Sequence, residues 1–291
     1  MMNFICNTGR SIMTSHRYIL KSVFAAGLLS ASLAAFAKNP TQQPISTHFA
    51  RTQSDISMEL TAHNFSDVEL DEADNFDGYS AALELTVPFA TDKQIRFSVP
   101  FYTKGDAYLK SNGQPIDIDG NGGVFDYSTL QFEHQIYVAE EAGFNLAYTL
   151  GGGMRTAVLD TTVNDYYNHT GKIALLGINL DKDLHDGDTQ LLLNAGVRYY
   201  FDADDLHPRG INSWVWADIK GAVVFKRWGR YVRPTLELSY LGGFNDYNAL
   251  SLMPGLIVQV AETASLKFGG ILGLTNDGNQ RGVIGQLSVS F

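Results

Sequence analysis

The chain has 291 residues, with 21 Lys and Arg against 31 Asp and Glu, a formal net charge of −10 and one cysteine, Cys6. Neutralising phosphates takes Lys and Arg, so this acid excess speaks against nucleic acid as a partner, and a lone thiol excludes a disulfide framework. The composition includes 28 Gly, 17 Phe and 14 Tyr at only 45% hydrophobic residues, which fits an exported all-β protein better than a helical one.

In chain order, Arg10, His16, Arg17 and Lys21 precede the apolar run "VFAAGLLSASLAAFA", which ends in Ala35-Phe36-Ala37. A basic start, a short apolar core and an A-x-A site predict a cleavable signal peptide over residues 1–37. The run is too short for a transmembrane helix, which takes roughly 20 residues. Its removal takes away three cations, no acids and Cys6, leaving a net charge of −13. Residues 38–53 are expected to form a periplasmic N-terminal segment, and 54–291 the folded body.

Alternation with period two then runs through twelve segments. The apolar phases are Ile56 to Ala62, Leu83 to Phe89, Ile95 to Phe101 and Leu130 to Val138, the last broken by His134. They continue with Phe144 to Leu150, Ala174 to Leu180, Leu191 to Phe201 and "WVWADIKGAVVF", which sets Trp214, Trp216, Asp218 and Lys220 on one face. Val232 to Tyr240, Leu250 to Val260, Leu266 to Leu274 and Val283 to Phe291 complete the set. Pro88, Pro100, Pro234 and Pro254 fall inside predicted strands, where proline belongs only at edges or bulges.

The connections alternate as well. "TDKQ", "AEEAG", "DKDLHDGD", "RWGR" and "AETA" are mostly short, whereas "NFSDVELDEADNFDG", "GDAYLKSNGQPIDIDGNGG" and "LDTTVNDYYNHTG" are long. Short turns on one side and longer loops on the other are the arrangement of outer-membrane barrels. Lipid satisfies no backbone polar group, so such a sheet must close. The fold class predicted is all-β, a closed antiparallel transmembrane barrel of about twelve strands in an up-and-down meander.

The inward phase then carries the chemistry: Glu59, Glu84, Arg96, Glu133, Arg198, Asp218, Lys220, Arg233, Glu237 and Lys267. Buried charges without partners are costly, so these are paired or wet. Gly151, Gly153, Gly177, Gly196, Gly269 and Gly273 share that phase and favour open space. Two interiors fit: a narrow channel for small solutes with these charges as its lining, or a closed, salt-bridged lumen with binding loops.

"DIDGNGG" is similar to the start of a calcium loop, offering Asp117, Asp119 and Asn121 as weak metal ligands, although Ser128 stands where the loop's last acid belongs. The acidic run Asp67, Glu69, Asp71, Glu72, Asp74 and Asp77 reads as a solvated loop that meets lipopolysaccharide-bound cations at most. Beyond loop-bound Ca2+, no cofactor is expected. None of the seven His has Ser two residues later, against an outer-membrane phospholipase; Asp205-Leu206-His207 and Asp117-Ile118-Asp119 are short matches to omptin-like proteases of the kind acidic loops produce by chance. The chain reads as a non-enzyme.

The ending "GVIGQLSVSF", with Phe291 last and Val283, Leu287 and Val289 at alternate positions before it, resembles the C-terminal signature of Gram-negative outer-membrane barrels. That resemblance implies the barrel-assembly machinery as a partner, reading Phe291, and an outer-membrane location among lipid and lipopolysaccharide. The last 40 residues, with Pro254-Gly255 and a Gly-rich eleventh strand, look like the final hairpins of the small, roughly twelve-stranded transporter or phenol meta-pathway barrels.

Overall fold

The computed structural model describes residues 42–69, 73–109, 113, 115–121, 127–155, 158–159, 171–184, 187–201, 213–228, 231–243 and 247–291. The signal peptide predicted over residues 1–37 lies outside them. Alternating side chains make strands throughout: β1 (Ser57–Glu69), β2 (Ala73–Ala90), β3 (Lys93–Leu109), β4 (Pro115–Asn121), β5 (Ser128–Tyr137), β6 (Asn145–Met154) and β7 (Val158–Leu159). After them come β8 (Lys172–Leu184), β9 (Thr189–Phe201), β10 (Trp214–Phe225), β11 (Val232–Gly242), β12 (Asn248–Ala261), β13 (Ala264–Gly273) and β14 (Gly278–Ser290).

Twelve of these strands form a closed antiparallel meander. Each pairs with the next, and β14 returns to β1 in a register running from Ser57↔Ser290 to Glu69↔Gly278. The Phe291 N–H donates to the Ile56 carbonyl at 2.9 Å and extends that seam by one bond. The two short strands β4 and β7 stand beside the upper part of β3, beyond the wall. β3 pairs with β5 only over Lys93–Ser98 and continues with β4 over Tyr102–Tyr108.

Three of the four strand prolines sit where the ladder already lapses. Pro88 and Pro100 lie at register shifts between β2 and β3. Pro234 lies beyond the end of the β10–β11 ladder at Val224↔Thr235. The expected long acidic loop is corrected: Asp67, Glu69, Asp74 and Asp77 belong to β1 and β2, which continue as a hairpin past a bulge between Phe65 and Val68. The bulge places Asp67 at a positive φ of 59°, and its N–H donates to Asp77 Oδ1 at 2.8 Å. Asp71 and Glu72 fall outside the described residues.

The outer surface is apolar. Leu130, Leu150, Leu176, Leu238 and Val283 are all exposed, as lipid-facing side chains of a barrel are. Trp228 and Tyr231 mark the rim at the β10–β11 turn. His134, the break in the apolar phase, does face outward. It lies at the short-turn rim, with Nε2 2.9 Å from Asp92 Oδ2 in the β2–β3 turn and Nδ1 3.1 Å from the Tyr148 hydroxyl. Lys93 Nζ also reaches Asp92 Oδ2, at 2.7 Å, and it is foremost this bond that holds the Asp92 carboxyl below its usual range.

The tightly packed interior lies inside the wall at the short-turn end, where Lys267 and Glu59 are 0% and 3% exposed and Lys267 Nζ donates to Glu59 Oε1 at 2.7 Å. Breaking one side of a buried pair leaves an uncompensated charge. Lys267→Met is therefore expected to cost about 3–5 kcal/mol, and Glu59→Gln combined with Lys267→Met appreciably less. The thermal midpoint of unfolding in detergent, followed by electrophoretic mobility, checks the difference; equal losses in the two variants would contradict it.

Candidate functional site: the lumen and its inner collar

Residues 42–55 form no ladder with the wall. They run around the inside of the barrel near its short-turn end, fastened by side chains that β1, β3, β5, β8, β9, β11 and β12 present inward. Gln42 meets Gln259 of β12 at 3.3 Å and Arg233 of β11. Glu237 of β11 accepts three consecutive amides: Ile45 at 3.0 Å, Ser46 at 2.9 Å and Thr47 at 3.1 Å. The Ser46 hydroxyl adds a bond of 2.6 Å. Asn194 of β9 accepts from the His48 N–H at 2.7 Å and donates to the His48 carbonyl at 2.8 Å. Farther on, Asp181 of β8 accepts from Ala50, Gln135 of β5 from Thr52 and Gln94 of β3 from Gln53, at 2.8, 3.0 and 2.9 Å.

A buried backbone without a ladder needs other partners, and the wall supplies them residue by residue. Phe49 anchors the collar by packing against Leu192, Ala222, Val224 and Ile257, inward residues of β9, β10 and β12. The Arg51 guanidinium lies 4.3 Å from the Phe49 ring centre. The segment read as periplasmic thus occupies the barrel interior over residues 42–53, because inward Glu, Asp, Asn and Gln would otherwise face one another with too few donors.

All ten predicted inward charges lie inside the wall, in two groups. Glu59, Glu133, Glu237 and Lys267 are fully buried and fill space, satisfied by one another, by the collar or by amides: Gln94 and Asn179 each donate to Glu133 at 2.6 Å. Arg233 holds Gln42. The remaining five, Glu84, Arg96, Arg198, Asp218 and Lys220, line a cavity of about 320 Å³ above the collar, with His48 on its floor. Arg96 pairs with Glu84 at 3.1 Å and Glu133 at 3.6 Å, and Arg198 Nε donates to Asp218 at 2.8 Å. Lys220 comes only within 4.0 Å of Asp218.

The inward glycines also divide. A Cβ on Gly151 would strike Gln131 and one on Gly269 would strike Met253, so those spaces are filled. Gly177 and Gly196 face each other across β8 and β9 and both line the cavity. They also let the backbones approach: a Cβ on Gly196 would lie 2.6 Å from the Leu176 carbonyl oxygen. Toward the long-loop end, Tyr200 stacks on Trp214 at 4.9 Å between ring centres and Trp216 on Tyr247 at 4.7 Å, forming an aromatic layer across β9, β10 and the β11–β12 connection. The amide anchors and this layer were not singled out from sequence. Their only signal is phase: Asn179, Asp181 and Asn194 share the inward alternation with Gly177 and Gly196.

The candidate metal ligands take another form. Asp117, Asp119 and Asn121 belong to strand β4, in register with Asp106, Lys104 and Tyr102 of β3; residues 122–126 of the calcium-like stretch lie outside the described residues. Among the described residues no group of three or more His, Cys, Asp or Glu is placed to hold a metal ion. Asp205 and His207 lie outside the described residues.

His48 outlines a pH dependence. Its Nδ1 is buried without a hydrogen-bond partner among the described residues. Burial first, then Arg96, Lys220 and Lys267, hold its pKa well below the ordinary 6.5. The seated collar carries neutral His48, whereas a displaced collar carries an ordinary histidine. Seating is therefore fully favoured above pH 6.5 and weakens as pH falls below it, where only the displaced form takes up the proton. Amide exchange across residues 45–50, corrected for the chemical rate, is expected to accelerate below pH 6.5, and His48→Gln to flatten that acceleration. Identical pH profiles for the two proteins would contradict it.

No protein-family model matches the chain, and no curated protein matches it in sequence. Solved structures do match in fold. The COG4313 outer membrane channel from Pseudomonas putida F1 superposes with a TM-score of 0.60 at 13% identity, over 85% of this chain and 100% of that one. The translocator domain of the autotransporter NalP from Neisseria meningitidis gives 0.53 at 8% identity, over 97% and 99%. The transport unit of the autotransporter AIDA-I from Escherichia coli gives 0.51 at 9% identity, over 82% and 91%. The chain has the fold of these small outer-membrane β-barrels.

Proposed function

We propose that this protein is an outer-membrane channel through which small solutes pass passively, and that its lumen is stopped at the short-turn end by residues 42–55. The observation that carries this reading is how the stop is held. The wall is a closed run of strand pairs, whereas among the described residues the bonds that tie the collar to it come from wall side chains, chiefly Glu237, Asn194 and Asp181. It can leave without breaking a strand pair. The charged cavity above it supplies a wetted compartment on the path, and selectivity follows from the sign and spacing of its charges. The apolar outer face belongs in the outer membrane of a Gram-negative cell, with the long loops toward lipopolysaccharide and the short turns toward the periplasm. We read the chain as a transport protein rather than an enzyme.

The second reading is a barrel closed for good, with structural or binding duties at its loops. The buried Lys267–Glu59 pair and the filled glycine spaces favour it. Planar-bilayer recording separates the two. Glu237 accepts three amides and two hydroxyls, and bonds to a charged acceptor are worth about 1.5–3 kcal/mol each. Glu237→Ala, or deletion of residues 42–53, is therefore expected to raise open-state conductance or open probability at least tenfold over the intact mature chain. Folded protein that passes no current in any of the three forms would remove the channel reading and leave the closed barrel.

A further inference from the structure

The cavity above the collar has an uneven lining. On the β8 side the inward phase turns apolar, with Ile173 and Leu175, and then drops to bare backbone at the facing pair Gly177 and Gly196. On the β10 side stands Lys220, next to Asn194 in register and above His48. Both arginines of the cavity are already engaged, Arg96 by two glutamates and Arg198 by Asp218. Lys220 makes no hydrogen bond among the described residues and approaches a carboxylate only at 4.0 Å. His48 stands on the floor of the same cavity, its Nδ1 buried and without a hydrogen-bond partner among the described residues. A loosely held ammonium and an apolar ledge therefore share one space of about 320 Å³, at the lower end of the roughly 300–1,000 Å³ of small-molecule sites.

From this arrangement we infer that the cavity is a binding subsite for a small monocarboxylate with a flat apolar body: the carboxylate is received by Lys220, and the body lies over Gly177–Gly196, beside Thr149, against Leu175 and Ile173. Lys220 is the most loosely engaged cation of the lining among the described residues, and it matches one negative charge. A dianion gains most from the bidentate fork of an arginine, and both arginines here are already paired. The ledge selects the body, since a polar body would leave its groups unpaired against Leu175 and Ile173. This inference rests on the reading of the lumen as a solute path, because it names the class of solute that pauses there.

The test uses the mature chain folded in detergent, with three probes read by titration calorimetry: benzoate, which has both charge and ring; benzyl alcohol, which has the ring alone; and acetate, which has the charge alone. Benzoate is expected to bind at least tenfold more tightly than either of the others. Lys220→Gln is expected to weaken benzoate at least tenfold while leaving benzyl alcohol within twofold, and Leu175→Trp, which fills the ledge, to abolish binding of both. Lys182→Gln, an exposed lysine outside the cavity, serves as the control. Equal affinities for benzoate and benzyl alcohol, or benzoate binding untouched by Lys220→Gln in a variant that retains its thermal midpoint, would overturn the inference. The two readings fail separately. Benzoate binding without current in any collar variant would remove the channel and leave the subsite. Current without selective benzoate binding would do the reverse.

Discussion

The β1–β14 seam is the constraint on which the rest of the structure depends. A backbone facing hydrocarbon must find every hydrogen-bond partner within the protein, and this meander satisfies the last open edges only when Ser57 to Glu69 take up register with Gly278 to Ser290. Closure fixes which side chains face inward, because a shift by one residue would turn the apolar set inside the barrel and the charged set out to lipid. Met58↔Val289 and Leu60↔Leu287 belong to the outward set, Glu59↔Ser288 and Thr61↔Gln286 to the inward one. The wall and the chemistry of the lumen are thus set by one choice of register.

That choice creates a second demand. The inward phase near the short turns is crowded with acceptors: Glu59, Glu133, Asp181 and Glu237 are all buried. Arg96 and Lys267 satisfy part of this need. The collar satisfies much of the rest, since a chain without a ladder carries a row of free N–H groups. The two deficits match: acceptors without donors on the wall, donors without acceptors on residues 45–53. Residues 42–55 can therefore be buried at the centre of the barrel with little secondary structure of their own.

Much of this was legible in the sequence, for physical reasons. Period-two alternation identified all twelve wall strands, because lipid on one side and water or polar groups on the other leave no ambiguity about facing. What escaped notice had no period to reveal it. The collar is too short and irregular to alternate, and its partners are mostly amides, which look neutral along a strand until something needs them. The acidic stretch around Asp67 and Asp77 read as a loop because its charges mask the continuation of β1 and β2, whose pairing is carried there by backbone. Asp117, Asp119 and Asn121 matched a ligand spacing, but alternation by two is also the spacing of a strand, and β3 offered β4 an edge to pair with. The glycines misled in part, since a missing Cβ marks either a close approach of backbones, as at Gly196, or a place that another side chain fills, as at Gly151 and Gly269.

The same distinction separates the permanent parts of the interior from the movable ones. Removing the Lys267–Glu59 pair from its place would strand two charges that have almost no access to water, so that layer stays with the wall. The collar's bonds are different in kind. If residues 42–55 swing out at the short-turn end, their amides and the carboxylates they leave both meet water, and each lost bond is replaced. The net contribution of such bonds is then well below their gross strength, and Phe49, packed against Leu192, Ala222, Val224 and Ile257, adds an apolar contact that water does not replace. The cost of opening therefore falls on the Glu237 bonds, the Phe49 contact and the neutrality of His48, while the barrel around them keeps every strand pair it had.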